Sequence, residues 1–338
     1  MGFTSELFRA PAATAQGSKS DKTPLLKPTL PPALKPGMKI GIPAPAGGVS
    51  KEDFENKLST FASSMKALGM ELEIAKSVRA GSGFFAASDE VRAAEFMDFV
   101  NRPDIHGIVC MRGGYGVMRI LPMLDYVSIQ KNPKVICGYS DITALINAVY
   151  SRSNIVSFHG PIAAAELDNF TSKWFLPLVY SDGKQPASVN ASTYSEPTLT
   201  TVSSGKARGR IVGGNLTLIT SLMGTPFEIN TTGAVLFLED VGEKAYRIVR
   251  MLTQMWLAGK LQCCAAIVLG QFTEAVETSP TTSIPEVLRS RLAPLNIPII
   301  GNFPIGHIQE RLTMPIGVLC EVDADNRSFS LLEPTVMI

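Results

Sequence analysis

Histidine is scarce in this chain. There are three in 338 residues, at positions 106, 159 and 307, far apart and outside any HExxH pattern. This argues against a histidine-built metal centre, and no metal is expected. Cysteine is scarce too. The five, at 110, 137, 263, 264 and 320, are odd in number, form no CxxC pair and mostly lie in apolar runs. Buried thiols in a reducing compartment are expected rather than a disulfide framework. Charge of one sign is not in excess: Lys and Arg total 31 against 30 Asp and Glu. That balance leaves no electrostatic footprint for nucleic acid or an anionic membrane surface. No apolar run reaches the roughly 18 residues of a membrane span. The first 36 residues have no apolar core of a secretory signal, and Glu6 stands where a myristoylation motif has Ser or Thr. Rich in Ala, Ser, Lys and Pro, this segment reads as a disordered tail, with an organelle transit peptide as the alternative. A cytoplasmic location is expected, organellar only if the tail is a transit peptide.

What is present is a well-patterned globular chain, 45% apolar and long enough for two domains. From Met38 onward, short apolar runs alternate with segments of helical period. "KIGIPAPA", "MELEIAKS", "GIVCMRGGYG", "KVICGYS" and "NIVSFHGP" read as strands. "KEDFENKLSTFASSMKALG", "SDEVRAAEFMDFVN", "VMRILPML" and "DITALINAVYSRS" read as helices. Alternation of this kind predicts a doubly wound parallel sheet with helices on both faces, over residues 37–166. Residues 167–204 lose the pattern and read as a linker or covering loop containing Trp174. A second α/β domain with a mixed sheet follows over 205–338. It runs through "GRIVGGNLTLITSLMG", "AVLFLED", "AAIVLGQF" and "IPIIGNFPIGH" to a terminal hairpin with a "DADN" turn. In open α/β sheets the ligand lies at the carboxyl ends of the strands, where the glycine-rich turns fall.

One turn stands out. In "VICGYSDITAL" an apolar strand rises into Gly138, and Ser140 sits at the corner before a helix. The common use of such a serine is to cap the helix. The other use is as a nucleophile on a sharp strand–turn–helix elbow, with Gly138 easing the turn. At a helix N-terminus the N–H of Asp141 is a natural donor to a developing oxyanion. A second donor is available in "MRGGYG", at Gly114. That stretch is not GxGxxG and has no acidic residue at dinucleotide spacing, so no nucleotide cofactor is implied. A base for the serine has two candidates at carboxyl strand ends, His159 and His307; His106 lies at the amino end of its strand. Glu239, in "FLEDVGEK", is the candidate to orient the base, with Asp240 and Glu243 as neighbouring acids suited to the following helix start.

Taken together, "RGGYG", "GYSDITAL", "HGP", "GRIVGGNL", "FLEDVGEKAYRI" and "GHIQERLTMPIG" resemble the LD-carboxypeptidases. This serine peptidase family also contains the microcin C self-immunity proteins. The motifs occur in family order across residues 39–317, with departures at Val249, where the family often has an acid, and Met314, where Leu is usual. The resemblance implies a Ser140–Glu239–His307 triad, with the serine in the first domain, the other two in the second, and the site between them. It implies hydrolysis of an amide joining an L-configured centre to a C-terminal D-amino acid, as in a murein tetrapeptide losing D-Ala. The oxyanion donors would be Asp141 and Gly114, and no metal or organic cofactor is needed. Arg112 is the expected holder of a substrate carboxylate. His159, Asn215, Glu243 and Trp174 are further pocket candidates, and a homodimer is expected by resemblance alone. The alternatives are a microcin C-like hydrolase of peptidyl or aminoacyl nucleotides, with Trp174 stacked on the base, and a muropeptide-binding protein without turnover.

Overall fold

The computed structural model describes residues 25–79, 84–180, 199–276 and 283–338. In the first half, strands β1 (Lys39–Ile42), β2 (Glu71–Ile74), β3 (Gly107–Val109), β4 (Val135–Gly138) and β5 (Ser157–His159) pair in parallel. Between them run α1 (Lys51–Ala67), α2 (Asp89–Asn101), α3 (Val117–Ile120), α4 (Tyr126–Lys131) and α5 (Ile142–Ser153). The helix starts follow local chemistry. Ser88 caps α2 through the Val91 N–H, and Asp125 caps α4 through Val127 and Ser128.

The second half contains α6 (Asn169–Val179), β6 (Thr200–Ser203), β7 (Lys206–Asn215), α7 (Leu216–Ser221), β8 (Val235–Val241) and α8 (Ala245–Leu257). It continues with β9 (Ala266–Thr273), α9 (Ile284–Leu292), β10 (Ile299–Gly301), β11 (Met314–Ile316), β12 (Leu319–Asp323) and β13 (Ser328–Leu331). Strands β7 to β10 are parallel. Strand β6 joins one edge antiparallel, and the β12–β13 hairpin joins the other, giving the order β13-β12-β7-β8-β9-β10-β6. The mixed sheet expected from the sequence is therefore present. Helix α8 buries Ala245, Ile248, Leu252 and Met255, at helical spacing, and β8 is buried along nearly its whole length.

Three features depart from the sequence reading. Residues 25–36 of the expected tail are folded onto the body: Leu34 is 1% exposed, and Thr29, Pro32 and Leu34 bridge to Ile155, Met337 and Tyr180. Residues 1–24 lie outside the described residues. The expected linker 167–204 contains α6 and β6, with 181–198 outside the described residues. Helix α6 starts at the Asp168 cap and carries Pro177 in its last turn, which obscured its pattern. Finally, β11 leaves the second half and pairs antiparallel with β5, so the first sheet has the order β11-β5-β4-β3-β1-β2.

That exchange locks the two sheets together. Helix α5 is buried on nearly every side because it lies against both. Asn147 on α5 donates to the Gly213 carbonyl of β7 at 2.8 Å, and the Asn215 N–H reaches Thr143 Oγ1 at 3.1 Å. The corner at the start of α5 is thereby held against the second sheet. No described helix is long and apolar enough to cross a membrane.

Candidate active site

Ser140 follows β4 and precedes α5 with φ +66°. A side chain in this left-handed region costs roughly 1 kcal/mol or more and persists only where the surroundings enforce it. The strained turn thus falls on Ser140 and not on Gly138, which was expected to supply it. Gly138 supplies room instead: a Cβ there would lie 2.8 Å from Ile142 Cγ2. The Ser140 carbonyl accepts from the Thr143 N–H at 2.9 Å. Its hydroxyl caps nothing, and among the described residues it has no hydrogen-bond partner. The helix-cap role is therefore not the one adopted; the N-cap position falls on Asp141, without a side-chain bond.

The loop after β3 lies directly on this corner. A Cβ on Gly113 would stand 2.9 Å from Ser140 Oγ and 3.3 Å from the Asp141 nitrogen, so only glycine leaves that space open. Asp141, buried, accepts from the Val117 N–H at 2.9 Å and ties the loop to the elbow. Burial pushes its carboxyl up to about 6, against the pull of the Val117 N–H and Arg92. Arg92, 1% exposed, braces the loop from below by donating to the carbonyls of Pro45 and Gly116. Among the described residues, the N–H groups of Gly114 and Asp141 donate to no other protein group. Arg112 lies alongside, its Nη1 3.4 Å from the Gly48 carbonyl, with no acidic partner among the described residues.

Glu239 approaches from the second sheet. It is fully buried near the carboxyl end of β8, where Gly270 and Gln271 of β9 together oppose it in a β-bulge. His307, in the loop after β10, donates Nδ1–H to Glu239 Oε2 at 2.8 Å. That tautomer leaves Nε2 with a free lone pair. His159, at the end of β5 and 2% exposed, sets Nε2 3.7 Å from the other carboxylate oxygen, too far for a hydrogen bond. Burial alone would raise the Glu239 carboxyl. The two imidazoles facing it outweigh burial and hold it well below the usual glutamate range. Its neighbour Asp240 points to the opposite face, where burial pushes it up to about 6. Tyr139 links the halves: its ring stands edge-on to His307 at 5.0 Å and carries the guanidinium of Arg311 at 4.4 Å. The imidazole thus sits beside the residue that precedes Ser140.

The other expected residues are placed as follows. His106 accepts the Lys39 N–H at the amino ends of β1 and β3, away from this corner. Asn215 caps α7 through the Leu218 N–H and donates to Asp240 at 3.0 Å, so both its side-chain polar atoms join elements together. Glu243 sets its buried Oε2 3.5 Å from Arg247 Nη1, an ion pair without a hydrogen bond among the described residues. Trp174 is on α6 rather than a covering loop, half-buried against Phe170. Sequence reasoning missed Arg92, Tyr139 and Arg311. Only Tyr139, adjacent to the corner serine, carried a local signal.

Comparison with known proteins gives consistent results. Residues 40–160 match the model of the LD-carboxypeptidase N-terminal domain, and residues 208–322 that of the LD-carboxypeptidase C-terminal domain. A probable murein peptide carboxypeptidase of Bacillus subtilis is 35% identical, covering 82% of this chain and 86% of that protein. A structure of muramoyltetrapeptide carboxypeptidase from Oxalobacter formigenes matches with TM-score 0.72 at 28% identity, over 87% of this chain and 98% of the other. A structure of MccF in complex with glutamyl sulfamoyl guanosine matches with TM-score 0.83 at 26% identity, over 92% of this chain and 100% of the other, and the microcin C7 self-immunity protein MccF of Escherichia coli is 32% identical over 72% of this chain and 78% of that protein.

Proposed function

The chain belongs to the LD-carboxypeptidase family and is a serine carboxypeptidase, and from that premise we propose that it removes a C-terminal D-amino acid from a murein-type peptide. The substrate would be a tetrapeptide ending in D-Ala on an L-configured centre. The observation that supports this best is the His307–Glu239 pair, 2.8 Å apart, set beside a serine in a strained elbow whose hydroxyl is uncommitted. Ser140 Oγ attacks the scissile carbonyl while His307 Nε2 takes its proton. Glu239 holds the ring and stabilises its cation. The negative oxygen of the tetrahedral intermediate is met by the N–H groups of Asp141 and Gly114; each such donor lowers the barrier by about 3 kcal/mol. Collapse expels D-Ala as His307 returns the proton to its amine. Water, activated by the same imidazole, then releases the tripeptide from the serine ester.

The microcin-type reading calls for an aromatic face to stack on a base. Trp174 has part of its surface against Phe170, which leaves less of it open. Mass spectrometry of purified protein with murein tetrapeptide, beside Ser140→Ala, tests the proposal. Loss of one alanine by wild type alone is expected. Loss by both proteins refutes Ser140 as nucleophile. Loss by neither, with cleavage of an aminoacyl sulfamoyl nucleoside, moves the assignment to the nucleotide branch.

A further inference from the structure

The loop that carries His307 also carries a buried cation. Arg311 is 8% exposed, and its guanidinium carbon lies 4.4 Å from the centroid of Tyr139. His307 stands 5.0 Å from the same centroid. Among the described residues, Nη1 of Arg311 is buried without a hydrogen-bond partner, and Nε reaches only the Gln309 carbonyl at 3.4 Å. No carboxylate of the described residues pairs with it. A guanidinium taken out of water without a counter-charge is costly unless something arrives to meet it.

The chemistry of the leaving group says what arrives. In a released amino acid, one carbon separates the amine from the carboxylate. His307 must reach that amine to protonate it. The group that grips the carboxylate therefore has to stand on the His307 side of the site. We propose that Arg311 binds the free α-carboxylate of the departing amino acid and so restricts the enzyme to the chain terminus. This rests on the carboxypeptidase reading above. It moves the expected carboxylate contact from Arg112, which belongs to the glycine loop and already reaches the Gly48 carbonyl. A planar fork with a free buried donor suits a carboxylate better than a lysine would.

The test compares a peptide ending in D-Ala with the same peptide ending in D-alaninamide. Wild type should prefer the free acid in kcat/KM by roughly 10- to 100-fold. Arg311→Met should bring that ratio close to one, mainly through KM, while Arg112→Met lowers both substrates in parallel. Arg311→Lys, which keeps the charge within the fold, should retain a several-fold preference. Thermal unfolding confirms that each variant is folded. A folded Arg311→Met with the wild-type ratio overturns the proposal, as does loss of the ratio in Arg112→Met alone. Calorimetric binding of both peptides to Ser140→Ala, with and without Arg311→Met, separates this inference from the reaction. If wild type hydrolyses neither peptide but Ser140→Ala binds the acid through Arg311, the carboxylate site stands and the assigned reaction falls. Equal binding of acid and amide refutes the site.

Discussion

Replacing Glu239 by glutamine removes one charge and changes almost no volume. The carboxylate is fully buried, and its Oε2 takes the proton of His307 Nδ1 at 2.8 Å. When His307 becomes a cation during attack, the two charge centres lie about 4 Å apart. At an effective dielectric constant near 20 their attraction is about 4 kcal/mol. Losing it slows the chemical step by about 10³-fold. The new amide can also turn its NH2 toward Nδ1 and favour the wrong tautomer, which adds up to about another factor of ten. The expectation for Glu239→Gln is thus a kcat lowered by about 10³ to 10⁴, with KM little changed, since no part of Glu239 is exposed. Steady-state kinetics on the D-Ala peptide measures this. A folded Glu239→Gln with kcat within tenfold of wild type would refute the role assigned to the pair. The pH profile gives a second check. A carboxyl whose pKa is held down in the folded state keeps its stabilising charge above the usual glutamate range and loses it only as pH falls through the depressed value. Glu239 should therefore stay ionised throughout the working range of kcat/KM, and no acid limb of its own should appear at the usual glutamate range.

Other substitutions probe the corner and its supports. Ser140→Gly should abolish turnover yet stabilise the fold by roughly 1 kcal/mol, because φ +66° is relaxed for glycine; a lower unfolding temperature would contradict the strain. Gly113→Ala forces a methyl within 2.7 Å of Ser140 Cβ and should cost about 1–3 kcal/mol along with most activity; near-normal kcat would show the loop free to retreat. Asp141 titrates at about 6 when folded, against 3.8 ordinarily, so the folded state holds more protons between those values. Stability should then fall as pH rises through that window, by up to about 3 kcal/mol, and Asp141→Asn should flatten the fall. Denaturant unfolding at pH 4.5 and 7.5 gives the comparison, and identical slopes in both proteins would sink the argument.

Much of the architecture was legible because it is encoded at short range. Period-2 and period-3.6 apolar patterns, with Ser and Asp caps, mark β1 to β5 and most of the helices. The apolar run before Glu239 marks β8. Helix α6 was hidden by Pro177 and the Ser/Thr/Pro-rich stretch behind it. Strand β11 has three residues including a proline, and its partner β5 lies some 150 residues earlier, so no local pattern could announce it. Ser140, Glu239 and His307 were nominated from turn chemistry, strand ends and ordered motifs.

By itself, the sequence determined the alternation of elements, the family and a short set of chemically able side chains, since each is written in neighbouring residues. Tertiary structure decided which of them meet. The pleat of β8 sends Glu239 toward the imidazoles and Asp240 the other way. A 2.8 Å contact distinguishes His307 from His159 at 3.7 Å. Strain falls on Ser140 because α5 is pinned between two sheets, and Arg311, packed with its loop on Tyr139, has no counter-ion among the described residues. These outcomes depend on distances between segments far apart in the chain, and such distances exist only once the two sheets have closed on α5.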